Sequence, residues 1–376
     1  MTKRLALGQE FSASSRSEWT PRPLRILFLN HHIGTLSELT AVTLAISRRH
    51  NVLITIHETF GISTLGQPIT RALADAYWPV ALHQECNRQL YDFIIVGDTL
   101  PLLRPHLQNG CPLPMLAMLT TRFDWDLQWD NEFHALIEES SLRPNFRLIP
   151  NNLFEKHYAD LKGLHIAMEP YTPSSGIPTK LWYHALSTSN KVLRQHNDEE
   201  LIIPISVYTE ECLLPHLDSL SIPYSSSPRN QHGGPLALSD ALVVHIPYQS
   251  NVMSLFENLR QRVIYLIPSL SLYYRLGKTC GAQISNTDPN TFTEEEYRTY
   301  IDWWRPAHSH LFYYFDEFED LRLGSALRTK IIREAEEKRG EIAAFMGRQA
   351  VNVLERWEEV LFAPTNSLGD DKIAVK

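Results

Sequence analysis

The chain has 376 residues, of which 43% are hydrophobic and 21% charged, and its formal net charge is −8. Those proportions are ordinary for globular protein and exclude a collagen-like fibre, a coiled coil and a chain disordered throughout. The excess of acid also excludes the broad basic surface on which nucleic-acid affinity depends, so no nucleic-acid partner is expected.

At about 150 residues per domain, the length predicts two or three domains. No apolar run reaches about 18 residues and the mean hydropathy is −0.23, so no membrane-spanning helix is expected. A peripheral membrane association stays open on sequence grounds. Residues 1–22 are polar and Ser-rich, without an apolar signal core, and read as a flexible leader. The four cysteines, Cys86, Cys111, Cys212 and Cys280, are far apart with no CxxC spacing. That argues against a structural zinc site. Read as unpaired thiols in a chain with no Asn-x-Ser/Thr sequon, they predict a reducing, cytoplasmic setting.

Short apolar runs then alternate with helical patterns. The runs are Leu24–Asn30, Asn51–His57, Tyr91–Asp98, Pro114–Thr121, Asn145–Asn151 and Leu164–Met168. Helical stretches fit at Leu36–Arg49, Pro68–Ala76, Leu102–Gln108, Trp129–Ser140 and Leu153–Lys162. Continuous apolar strands between helices imply a parallel sheet buried on both faces, a doubly wound α/β domain over 23–172. A Pro/Ser/Gly-rich stretch closes it, with the linker at 173–180.

The alternation restarts over 181–324. Strands are expected at Leu201–Thr209, Ser221–Tyr224, Ala241–Tyr248 and Val263–Ser269, with helices at Glu210–Leu220 and after Ser250. Residues 270–311, rich in Tyr, Trp, Thr and Asn, read as an insertion. A strand near His310–Leu321, closing helices over 325–362 and a tail at 363–376 complete the chain. The predicted class is α/β, with two Rossmann-like doubly wound domains facing a cleft and closing helices packing back on the first.

Open α/β sheets bind ligands at the carboxyl ends of their strands. The first strand runs into Asn-His-His-Ile-Gly-Thr, not GxGxxG, and no GxxxxGK[ST], GxSxG or HExxH motif is present. Dinucleotide, P-loop, serine-hydrolase and zincin readings are weakened accordingly.

One resemblance does arise. The order strand, HGGPLALSDA, strand HIPYQSN, helix carrying Glu257, strand and Pro-Ser is similar to the donor half of GT-B glycosyltransferases. It extends as an architectural likeness over residues 24–362. It implies a nucleotide-diphosphate sugar as donor, a saccharide or other hydroxyl-bearing acceptor, and a metal-independent reaction without a further cofactor. In that superfamily the helix start faces the diphosphate and an acid on the helix holds the ribose. Here those positions are Pro247, Tyr248, Gln249, Ser250 and Asn251, then Glu257. A major retaining subgroup carries two glutamates eight residues apart at this place. This chain has Gln249 and Glu257, so its stereochemistry is left open.

The chemistry of the residues runs parallel to the resemblance. Ser250 and Asn251 stand where a helix would begin and offer N–H groups to an anion; both are equally good N-caps. Glu257 can accept two ribose hydroxyls, or be an ordinary surface carboxylate. Gly233 and Gly234 allow close backbone approach, or make a plain turn. Tyr208 and Thr209 are expected at a strand end. Arg229, Arg275, Lys278 and Arg305 are candidate cations for a diphosphate. In the first domain His31 and His32 follow a central strand, and either suits a general base; Gly34 and Thr35 would lie beside the donor. Asp124 is a rival base, with Asp98 a weaker one. Asp126, Trp303 and Trp304 are the acceptor candidates, carboxylates taking hydroxyls and rings stacking on sugar faces. A nucleotide-sugar epimerase of the same architecture is the alternative enzyme, and a non-catalytic two-domain sugar- or nucleotide-binding protein the alternative outside catalysis.

Overall fold

The structure is a computed structural model. It describes residues 23–30, 33–50, 52–58, 69–97, 99–120, 130–164, 173–177, 196–227, 234–250, 252–285, 287 and 292–362. They fall into two compact units. The first takes residues up to Asn151, Glu155–Pro173 and Val353 onward; the second takes Asn152–Phe154 and Ser174–Asn352.

The first unit is built from β1 (Leu24–Asn30), α1 (Ile33–Ile46), β2 (Val52–Glu58), α2 (Arg71–Gln84), β3 (Phe93–Gly97), α3 (Arg104–Gln108), β4 (Met115–Leu119), α4 (Asn131–Ser141), β5 (Phe146–Pro150) and α5 (Leu153–Leu161). All strand pairs are parallel, in the order β2-β1-β3-β4-β5. Because side chains alternate across a strand, the same runs feed two cores. Leu27, Leu29, Ile94, Val96, Ala117 and Leu119 enter one. Ile26, Phe28, Ile95, Leu116 and Met118 enter the other, beside Leu39 and Val42 of α1. This two-sided burial is why the strands read as unbroken apolar runs.

Helix starts follow local chemistry. Thr70 caps α2 by accepting from the Leu73 N–H, and Asp130 caps α4 through the Phe133 N–H. α2 is longer than the predicted Pro68–Ala76. It continues through Pro79, whose missing N–H costs one bond of the ladder but does not end the helix here.

The second unit contains β6 (Ile202–Pro204), a π-helical turn (Thr209–Leu213), α6 (Leu214–Ser219), β7 (Ser225–Ser227), a 3-10 turn (Pro235–Leu238), β8 (Leu242–Val244), α7 (Met253–Arg260), β9 (Ile264–Pro268), α8 (Leu270–Cys280), α9 (Glu294–Tyr300), α10 (Pro306–Ser309) and β10 (Phe312–Phe315). Its strand order is β10-β9-β8-β6-β7, all parallel. Counted within each unit, both sheets have the order 2-1-3-4-5. The chain is therefore α/β with two Rossmann-like doubly wound units.

Several expected boundaries move. β6 stops at Pro204, so Tyr208 and Thr209 are not at a strand end but open the π-helical turn. The Ser221–Tyr224 run is not a strand; pairing begins at Ser225, beyond Pro223, which has no N–H to donate. Residues 270–311 are not an insertion. α8 is the helix that follows β9, and α9 and α10 carry the chain on to β10. The predicted closing helices are one continuous helix, α11 (Ala326–Phe362). Its Val353, Trp357, Val360 and Leu361 lie in the first unit and pack into the core on the α1 face. The strand expected at Leu164–Met168 falls mostly outside the described residues.

The cysteine reading is corrected. Cys86 is bonded to Cys111 and Cys212 to Cys280, each with Cα atoms 5.6 Å apart, and no cysteine is left free. Widely spaced positions meet because Cys86 follows α2 and Cys111 precedes β4, while Cys212 sits in the π-helical turn beside the end of α8. The argument from unpaired thiols to a reducing compartment is thereby removed. No helix among the described residues is long and apolar enough to cross a membrane.

Bridges spanning 25 and 68 residues destabilise the unfolded chain by about 3.5 and about 4.4 kcal/mol on the loop-entropy model. Thiol titration of denatured, unreduced protein is expected to find no reactive cysteine, and four after reduction. A count near four before reduction would contradict both pairs.

Candidate functional site

In each unit the strand order reverses beside the first strand. Such a reversal opens a crevice at the carboxyl ends of the strands. In the first unit the reversal lies between β1 and β3, whose last residues Asn30 and Gly97 are register partners. A Cβ on Gly97 would come within 2.7 Å of Asn30 Oδ1 and 2.9 Å of Thr35 Oγ1. Only glycine admits that approach. Thr35 is buried and its hydroxyl donates to Asn30 Oδ1, tying the start of α1 to the end of β1. Gly34 is half-buried beside it. His31 and His32 fall between β1 and α1 in the chain, outside the described residues. Asp98, Asp124 and Asp126 also lie outside them.

In the second unit the reversal lies between β6 and β8. The segment leaving β8 is held by an unusual set of bonds. The Tyr273 hydroxyl donates to the Pro247 carbonyl at 2.9 Å. The Ser285 N–H and hydroxyl both donate to the Tyr248 carbonyl, at 2.9 and 3.0 Å. Trp303 Nε1 donates to the Gln249 carbonyl at 3.0 Å, and the Asp302 N–H to the Ser250 carbonyl at 3.1 Å. Four consecutive carbonyls are thus tied to Tyr273 of α8 and to residues between α8 and α10.

These bonds explain where α7 begins. Ser250 and Asn251 were the expected N-caps, but the cap is Val252, whose side chain has no oxygen to offer. The Ser250 backbone is committed to Asp302 instead. Its side chain is fully buried, and the hydroxyl has no hydrogen-bond partner among the described residues. Asn251 lies outside those residues. Glu257 stands just over one turn into α7 and is half-buried. Burial pushes the Tyr265 phenol well above its ordinary range; the Asn258 amide opposes this, and Tyr248 and Glu257 reinforce it.

Other expected residues are engaged elsewhere. Trp303 and Trp304 are not an exposed sugar platform: they are 0% and 4% exposed. Each uses its indole N–H on a backbone carbonyl, Trp303 on that of Gln249 and Trp304 on that of Pro268, the end of β9, at 3.1 Å. Their rings belong to an aromatic cluster with Tyr265, Tyr273 and Tyr297. Arg305 is not available to a diphosphate, since it pairs with the buried Asp302 carboxylate at 3.1 Å. Burial would raise the Asp302 pKa, but His308 and Arg305 together hold it below the ordinary carboxylate value. Arg275 donates to the Asp316 carbonyl and pairs with Glu317. Lys278 is exposed near the end of α8. Thr209 is buried, its oxygen accepting from the Ser206 N–H at 2.8 Å in a local turn that contains Tyr208. Gly234 has φ +74° and opens a 3-10 turn. Gly233 and Arg229 lie outside the described residues. Among those residues no group of three His, Cys, Asp or Glu side chains is placed to hold a metal ion.

Sequence reasoning missed His245. It sits one residue past β8, with its ring 5.0 Å from Trp303 and 5.9 Å from Tyr248. Its Nε2 is buried and without a partner among the described residues. The one available signal was a histidine inside the apolar run Ala-Leu-Val-Val-His-Ile-Pro. Burial brings its pKa down to about 4, so the ring is neutral near pH 7.

No protein-family model matches the chain, and no curated protein matches it in sequence. Solved structures that align with it include a glycotransferase of kitacinnamycin, 11% identical, over 88% of this chain and 99% of that one, with a TM-score of 0.41. A transferase from Siraitia grosvenorii in complex with UDP is 10% identical over 88% and 100%, TM-score 0.36. A UDP-N-acetylglucosamine 2-epimerase from Rickettsia bellii is 9% identical over 90% and 98%, TM-score 0.32. None of these scores reaches one half, and no residue correspondence is drawn from them.

The buried histidine makes stability depend on pH. Its folded pKa lies below the unfolded value, so its contribution is complete above about pH 6.5 and is lost as pH falls towards 4. Between those limits the wild type is expected to lose up to about 3 kcal/mol more than His245→Gln, in denaturant titrations at matched pH. Parallel pH profiles for the two proteins would contradict a buried neutral imidazole.

Proposed function

We propose that the protein is a glycosyltransferase that takes a sugar from a nucleotide-diphosphate donor, held at the carboxyl edge of the second sheet. The observation that carries this reading is the segment after β8. Its carbonyls are bound to Tyr273 of α8 and to residues between α8 and α10, it bears a buried hydroxyl at Ser250, and it leads into α7 through an apolar N-cap. N–H groups at a helix start need acceptors, and a diphosphate supplies charged ones; in α7 the Leu255 N–H already donates to the Val252 carbonyl.

Charge builds on the leaving diphosphate as the glycosidic bond breaks, and fixed N–H dipoles at the helix start stabilise it without a metal. Glu257 is the acid for the ribose hydroxyls. Tyr248, Ser250 and Asn251 are proposed with it as donor contacts. Arg229 and Gly233 remain part of the proposed donor set on sequence grounds. The acceptor is a hydroxyl compound, with Asp126 its proposed contact. A first-unit side chain serves as the base, with His31 or His32 ahead of Asp124.

Calorimetry on folded Glu257→Ala is expected to show donor binding weakened by about 1–3 kcal/mol, the range for losing hydrogen bonds to a charged group. Unchanged affinity would remove Glu257 from the site. Separately, alanine at His31, at His32 and at Asp124 is assayed for sugar transfer at saturating substrates. One of the three is expected to fall by about 10²–10⁴-fold. Wild-type turnover in all three would leave the reaction without the proposed base.

A further inference from the structure

We infer that Trp303 is a positioning residue for the donor: its indole N–H fixes the Gln249–Ser250 turn in the shape that receives a nucleoside diphosphate. The inference rests on the donor reading above and assigns a role to a residue that touches no substrate. Trp303 is fully buried, yet its nitrogen reaches the Gln249 carbonyl at 3.0 Å. The next residue back along the chain, Asp302, donates its N–H to the Ser250 carbonyl. Adjacent residues of one segment therefore bind adjacent carbonyls of the other.

The holding segment is itself locked. The Asp302 carboxylate is buried and paired with Arg305 and His308, and the Trp303 carbonyl accepts from the Tyr314 hydroxyl at 2.9 Å. A binding turn supported by a second layer whose own rotamers are fixed is preorganised, and loss of one support loosens the site by more than it unfolds the protein.

Trp304 is the internal comparison. It is similarly buried, its indole N–H likewise bonds a backbone carbonyl, and that carbonyl belongs to Pro268 at the end of β9 rather than to the turn. A phenylalanine at either position removes one N–H donor and part of one ring.

The experiment measures affinity of the full-length wild type, Trp303→Phe and Trp304→Phe for UDP, GDP and ADP, well below the melting temperature of each. Both variants are expected to melt earlier. Only Trp303→Phe is expected to lose affinity, by about threefold to tenfold, the equivalent of one hydrogen bond. Wild-type affinity in Trp303→Phe overturns the inference and leaves the donor reading standing. Equal losses in both variants mean general loosening and overturn it too. A wild type that binds none of the three nucleotides overturns the inference and the donor reading together.

Discussion

Everything proposed for the second unit depends on one set of hydrogen bonds: side-chain and backbone donors, buried or half-buried, reaching four consecutive carbonyls after β8. Buried carbonyls must find donors, because an unpaired one costs about as much as a lost hydrogen bond. Tyrosine and tryptophan suit the task, since each brings a large apolar ring and one polar handle. The rings build a cluster with Tyr265 and Tyr297, and the handles at Tyr273, Trp303 and Trp304 all finish on backbone carbonyls. What reads in the sequence as a sugar-stacking surface is a scaffold that shapes a turn.

The two units share a strand order but finish their edges differently. In the first, β1, β3 and α1 converge so closely that Gly97 has no room for a side chain, and the Asn30–Thr35 bond closes the gap. In the second, the edge is set at a distance by the chain that links β9 to β10. Each unit also carries one disulfide. Cys212–Cys280 joins the turn beyond β6 to the end of α8, the helix that supplies Tyr273. Covalent and hydrogen-bonded restraints therefore converge on the region where the strand order reverses.

Much of the fold was legible because it is local. Two-sided burial writes itself as apolar runs, and Leu24–Asn30 and the strand within Val263–Ser269 follow directly from that pattern. The misplaced elements had non-local causes. Tyr208 and Thr209 follow apolar residues, but the Thr209 side chain bonds Ser206 and turns the chain before the strand can extend. Val252 became the N-cap in place of Ser250 because Asp302, more than 50 residues away, takes the Ser250 carbonyl. Neither disulfide was visible, since pairing depends on where helix ends meet. The same holds for Trp303 and Trp304: composition reveals aromatic content, while burial decides whether a ring faces a ligand or a core. His245 was hidden in an apolar run, where its being a histidine was the one signal that set it apart.

The central claim is that this edge binds a nucleotide-diphosphate sugar. Thermal melting of the full-length protein with a panel of UDP-, GDP-, CMP- and ADP-sugars tests it most directly. Ligand that binds only the folded state stabilises it by about 2.7 kcal/mol at a hundredfold excess over Kd. One nucleotide class is predicted to raise the melting temperature in a concentration-dependent way, with the others inert. A folded protein whose melting temperature is unmoved by every member of the panel would contradict the account.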